Sequence, residues 1–231
     1  HAYLDRQKIH IMINRHPVII ASLLLGMFAV IGTSLVAFTY ENTRDRIAEN
    51  ERLALLKKLH KLIPPQRIDN DIVNDTVTVS DRYRLGTDST QVYLGRKNGE
   101  PIAAVFTTTA PEGYSGDIQL LVAVNIDGTL GGVRVVSHRE TPGLGDRIEE
   151  DKNDWILQFA GKSLNNPDSE AWKVKRDGGA FDQFTGATIT PRTVIKAVKN
   201  TLQYYSEHGE SLFKKQAESE VKNDATKGPQ K

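Results

Sequence analysis

Cysteine is absent from this chain of 231 residues. That one absence excludes disulfides, iron–sulfur ligation, thioether haem attachment and thiolate zinc sites together. Any redox chemistry must therefore come from an organic cofactor. Net charge is nearly absent as well: the formal value is +1, so there is no bulk basic field and no case for nucleic-acid binding. The six histidines (1, 10, 16, 60, 138 and 208) lack metal-ligand spacing. The chain also lacks a Ser/His/Asp set, a Rossmann-type nucleotide loop and any internal repeat.

Charge is missing from one long run in particular. Pro17 to Tyr40 contains no charged residue, and about 24 residues make roughly 36 Å of helix against a hydrocarbon core of roughly 30 Å. The run exceeds a signal-peptide core, and no clear small-x-small cleavage site follows it. This predicts a transmembrane helix over 17–40, with 1–16 before it. Arg6, Lys8 and Arg15 precede the span, whereas Arg44, Arg46, Arg52, Lys57 and Lys58 follow it. Counting positive charges therefore does not orient it.

Residues 41–65 are rich in helix formers and end at Pro64-Pro65, which predicts a juxtamembrane helix with Ile47, Leu55, Leu59 and Leu62 near one face. The period then changes. Thr76–Tyr83, Gln91–Arg96, Ile102–Thr109, Gln119–Ile126 and Gly132–Ser137 read as short strands, with hairpin turns at Asn98-Gly99 and Asp127-Gly128. An antiparallel meander is the natural arrangement. Ile148–Leu164 reads as a helix, Trp172–Arg176 as another short strand and Asp177-Gly178-Gly179 as a turn. Thr190-Pro191 reads as an N-cap and first residue of a last helix, whose apolar face is Val194, Ile195, Val198, Leu202 and Tyr205. Residues 210–231 read as a charged, disordered tail.

Three glycine-bearing loops carry the chemistry. In the first, Pro111 to Gly116, glycines let backbone approach a ligand while Tyr114 offers an aromatic surface. In the second, Glu140 to Asp146, a carboxylate, a hydroxyl and a flat glycine backbone surround Leu144, as would suit one face of a planar ring. The third, Asp182 to Pro191, sets small residues and threonine hydroxyls before a helix whose free N–H groups and positive dipole end favour a phosphate. Arg192 and Lys196, one turn apart, could add charge there. Taken alone, the first two loops read more simply as ordinary turns, and the third reads as readily as a capped strand-to-helix turn.

Together the loops resemble the FMN-binding domain shared by membrane flavoproteins. Most closely they resemble the family of G subunits of the Rnf complex, the ion-translocating ferredoxin:NAD oxidoreductase. The resemblance rests on Gly113-Tyr114-Ser115-Gly116 with Ile118 to Val122, then Glu140 to Asp146, Asp177-Gly178-Gly179, and Asp182 to Thr190, in the family's order behind one span. It implies an α+β fold: a single N-terminal transmembrane helix, then a mostly antiparallel β-sheet FMN-binding domain over 66–209 with flanking helices. In that family a flavin transferase joins the phosphate of FMN to the last threonine of an Asp-x-x-Ser/Thr-Gly-Ala-Thr pattern. Asp182, Thr185, Gly186, Ala187 and Thr188 match its defined positions, so Thr188 is the implied attachment residue and Asp182 the implied transferase recognition residue. Thr190 is the competing hydroxyl, which the cap reading assigns to the helix. Glu140, Thr141, Gly143, Leu144 and Gly145, with Tyr114 close by, are implied to frame the flavin ring.

The implied function is electron transfer by a subunit that does not turn over substrate alone. Its implied partners are the other subunits of the complex, the transferase and the lipid bilayer, with residues 1–16 on the cytoplasmic side and the domain on the periplasmic face of a bacterial inner membrane. The C subunit of the sodium-translocating NADH:quinone oxidoreductase shares the domain and is the nearest alternative. A membrane-anchored assembly module without a cofactor is the alternative from another class.

Overall fold

The computed structural model describes the backbone of residues 15–226 and the side chains of 17–214. The segment 1–14, most of the expected N-terminal segment, and residues 227–231 lie outside it. The chain divides into two compact units, 1–53 and 54–231.

Helix α1 runs from Arg15 to Leu62. In the first unit it is long and apolar enough to cross a membrane. Three hydroxyls in its apolar part bond locally. The hydroxyls of Ser22, Thr33 and Thr39 donate to the carbonyls of Val18, Ala29 and Leu35 one turn back, each at 2.8 Å. In hydrocarbon such local bonds remove the penalty of an unpaired polar group.

The second unit is built on five antiparallel strands in the order β1 (Thr76–Val79), β2 (Thr90–Lys97), β3 (Glu100–Gly113), β4 (Gly116–Asn125) and β5 (Leu130–Ser137). This is the expected meander, and the fold class holds. Both faces of the sheet are covered. Ala104, Phe106, Leu120, Val122 and Val124 pack against the aromatic loops and the last helix. Ala103, Val105, Leu121 and Ala123 pack against Leu59, Leu62 and Ile63 at the end of α1. Burial on both sides explains why Leu120 to Val124 is continuously apolar rather than alternating.

The structure departs from the sequence reading at four places. The first strand stops at Val79, because Asp81 accepts the backbone N–H of Arg84 at 3.0 Å and caps a one-turn helix, α2 (Arg82–Leu85). The expected helix over Ile148–Leu164 is instead a chain of 3₁₀ turns, including Asp154–Phe159. Trp155, Phe159, Trp172, Phe181 and Phe184 form a ring cluster there. The chain must also bend so that Gly161 and Lys162 can pair with Leu130 at 2.7 Å, which a straight helix would prevent. Trp172–Arg176 forms only an isolated bridge, Val174 to Phe181, because tight turns on Lys173, Val174 and Phe181 consume its backbone groups. Finally, α3 runs from Ile189 to Thr226, through the region expected to be disordered. Leu212 and Phe213 are buried, and the Arg96 guanidinium lies 5.3 Å from the Phe213 ring centroid.

Candidate functional site

The strands β3 and β4 end in a two-residue turn, Tyr114-Ser115, closed by the pair Gly113 and Gly116. After β5 the chain enters the Glu140 to Asp146 loop, in which the Thr141 carbonyl accepts the N–H groups of Leu144 and Gly145 at 3.1 Å. The third segment makes a tight turn, Phe184 to Ala187, closed by the Ala187 N–H on the Phe184 carbonyl at 3.2 Å. Gly186 occupies its third position with φ +83°, which side-chain-bearing residues rarely adopt. Phe184 anchors this turn edge-on against Trp155, whose indole N–H reaches the Asp182 carbonyl at 2.7 Å.

These three loops meet at a cleft of about 320 Å³ lined by Tyr114, Glu140, Thr141, Leu144, Gly145 and the run Gly186 to Thr190. That size is at the lower end for small-molecule sites. Larger grooves exist, one of about 870 Å³ beside Tyr205 and Lys214, but none of the three loops lines it. Glu140 joins the parts of the cleft. It is 4% exposed, accepts the backbone N–H of Ser115 at 2.9 Å, and accepts a short hydrogen bond from the Thr190 hydroxyl. A side chain on Gly145 would place Cβ 2.7 Å from one Glu140 oxygen and 2.9 Å from the Thr190 hydroxyl. Only glycine admits this approach.

The start of α3 differs from the expectation. The Thr188 carbonyl accepts the Arg192 N–H at 3.4 Å, so Thr188 stands at the N-cap and Ile189 is the first helical residue. Thr190 is not the cap. It is fully buried and its hydroxyl belongs to Glu140. Pro191 fits the first turn, where a missing N–H costs nothing. The first-turn N–H groups of Ile189 and Thr190 have no partner within the helix, and the positive dipole end lies at Thr188, which is partly exposed.

The remaining expected residues sit elsewhere. Thr185 and Gly143 are exposed turn residues that do not line the cleft. The Asp182 carboxylate accepts from Lys175 Nζ at 2.6 Å. Arg192 and Lys196 do not line the cleft either. Arg192 grips Asp177 with two hydrogen bonds of 2.6 Å, which hold the Asp177 carboxyl below the usual range and raise the guanidinium. Sequence reasoning missed Ile189 as a cleft residue and Thr190 as a structural partner of Glu140. It also gave no role to Asp146, which is buried with Oδ1 unpartnered. The Glu140–Thr190 pair spans fifty positions, and no local pattern signals it.

The residues fit a flavin nucleotide chemically. The cleft has a flat glycine wall, apolar Leu144, Tyr114 and Ile189 at 42%, 70% and 46% exposure, and an anion-favouring helix start. A helix of membrane-spanning length followed by a sheet domain with such a cleft is the arrangement of a membrane-anchored small-molecule-binding protein. Residues 113–203 match the family described as FMN-binding domain, and residues 12–62 match the RnfG N-terminal region. The chain is 42% identical over 211 residues to the G subunit of the ion-translocating oxidoreductase complex of Shewanella baltica (strain OS223), covering 91% of this chain and all of that one. It is 48% identical over 193 residues to that of Pseudomonas aeruginosa (strain UCBPP-PA14), covering 83% and 90%. It is 46% identical over 192 residues to that of Vibrio atlanticus (strain LGP32), covering 83% and 91%. The chain belongs to this family, the G subunits of ion-translocating oxidoreductase complexes.

Proposed function

We propose that this chain is the electron-carrying G subunit of a ferredoxin:NAD ion-translocating complex, with FMN bound covalently as a phosphoester of Thr188. The observation that carries the reading is the meeting of Thr188, the Glu140 loop and the Tyr114 turn at one cleft on a helix N-terminus. When bound, FMN supplies one- or two-electron transfer, with its ring unmodified because the bond lies at the far end of the ribityl chain. The chain's residues hold and orient it. In forming the ester the Thr188 oxygen would bond to phosphorus as the hydroxyl proton and the group displaced from phosphorus leave, and the remaining phosphate oxygens would be held by the N–H groups of Ile189 and Thr190. Glycine backbone and Leu144 would flank the flavin ring.

Thr190 is disfavoured as the attachment residue because its hydroxyl is buried and already donated to Glu140. Asp182, exposed on the surface beside Lys175, is the side chain offered to the transferase. The remaining subunits of the complex are the electron partners. The apolar part of α1 anchors the chain in a bacterial inner membrane, with the sheet domain on the periplasmic side. The match at residues 12–62 favours the G subunit over the related C subunit of the NADH:quinone oxidoreductase.

In-gel fluorescence tests this. Co-expressed with a flavin transferase, the wild-type band should keep flavin emission through boiling in detergent, and Thr188→Val should abolish it. A dark wild-type band sinks the reading and favours a cofactor-free assembly module.

A further inference from the structure

Glu140 is the acidic residue in the cleft wall, and among the described residues no side-chain cation pairs with it. One carboxylate oxygen accepts the backbone N–H of Ser115 at 2.9 Å and the other accepts the Thr190 hydroxyl. Both donors are neutral. The adjacent His138 is used differently: its Nδ1 accepts the Glu140 backbone N–H at 3.0 Å, and its Nε2 lies 2.5 Å from Glu149. Among the described residues no Lys, Arg or His forms an ion pair with Glu140, while Arg139 and Arg147 are exposed. The two glycines pack against the same carboxylate. An added Cβ would lie 2.9 Å from Oε1 at Gly113 and 2.7 Å from Oε2 at Gly145, so backbone takes the place of water there. Beside backbone in place of water, an ionised carboxylate acts on a neighbouring group more strongly than it would in bulk solvent.

We propose that Glu140 is a positioning residue that sets the reduction potential of the flavin: its hydrogen bonds fix the Ser115 turn and the start of α3, and its negative charge, which no side-chain cation pairs, disfavours the electron-rich reduced form and lowers the potential. The proposal rests on the reading that FMN occupies this cleft. The ring gains electrons on reduction, so a fixed negative charge in the wall raises the free energy of the reduced state more than that of the oxidised state. The accepted bonds are a separate contribution, because neutral groups can supply them equally well.

Glu140→Gln separates the two roles. The amide oxygen can still accept from Ser115, and the amide N–H₂ can donate to the Thr190 oxygen, so the loops stay joined while the charge is gone. The full-length chain, flavinylated by co-expressed transferase, is titrated spectroelectrochemically. Glu140→Gln should favour reduced flavin at least tenfold, a positive shift of about 30 mV for a two-electron couple, with flavin attached and melting little changed. Glu140→Asp keeps the charge but cannot span both donors. It should melt lower while its potential stays nearer the wild type than that of Glu140→Gln. A Glu140→Gln potential equal to wild type with flavin attached, or potentials that follow melting temperature rather than charge, would overturn the proposal. A wild-type chain without flavin overturns the underlying reading of the cleft instead.

Discussion

At the residue scale the site is organised by two threonines two positions apart with opposite surroundings. Thr188 is partly exposed at the N-cap, whereas Thr190 is sealed against Glu140. Thr190→Val should therefore keep covalent flavin fluorescence but lower the unfolding free energy by about 1–3 kcal/mol, since it leaves a buried carboxylate oxygen without its donor. A denaturant titration beside the fluorescent gel reads both effects, and a dark Thr190→Val band with normal stability would contradict the assignment. Gly145→Ala should cost about 1–3 kcal/mol through overpacking and disturb the cleft, because its Cβ has no room beside Glu140 and Thr190. A melting curve unchanged by Gly145→Ala would show that the loop yields. Much of this site was legible in the sequence: the three glycine-bearing loops stand there as separate runs, and the structure brings them to one cleft. The Glu140–Thr190 bond was not, because it joins loops fifty positions apart through side chains. The helix start was misread for the same reason, since a threonine before a proline looks like a cap until a distant carboxylate claims its hydroxyl.

At the element scale the meander was readable because hairpin turns and β-rich runs are local signals. The aromatic loops were not. Trp155, Ile156 and Phe159 have helical spacing, but ring packing with Trp172, Phe181 and Phe184 and the pairing of Gly161 with Leu130 bend the segment into 3₁₀ turns. The last helix was cut short for a different reason. Gly209 and the charges after it suggest an end, yet Leu212 and Phe213 return to the core beneath Arg96. Phe213→Ala should thus cost about 3 kcal/mol or more, given a ring only 7% exposed. An effect within about 0.5 kcal/mol in chemical denaturation, the range of an ordinary surface substitution, would return this segment to the status of a solvated tail.

At the scale of the whole molecule, the buried tyrosines set a limit at high pH. Burial pushes the Tyr205 phenol up to about 12, from an ordinary value near 10. The folded state then holds that proton more tightly than the unfolded state. The resulting stability is complete below about pH 10 and is lost as pH rises from there through 12, by up to roughly 2–3 kcal/mol. Tyr205→Phe should flatten that part of the stability curve, and an unchanged alkaline slope would contradict it. The division at Leu53 and Ala54 carries its own expectation: residues 54–231 expressed alone should be soluble and melt cooperatively, whereas the full chain should sediment with membranes. The central claim concerns one bond, and a tryptic map of the full-length chain tests it most directly. Cleavage after Arg176 and Arg192 releases a peptide, 177–192, that contains Thr185, Thr188 and Thr190. The account predicts that this peptide carries the mass of one FMN less one water, with fragment ions placing it on Thr188. The same mass on Thr190 or on another peptide, or a peptide 177–192 without flavin from a chain co-expressed with its transferase, would contradict the account.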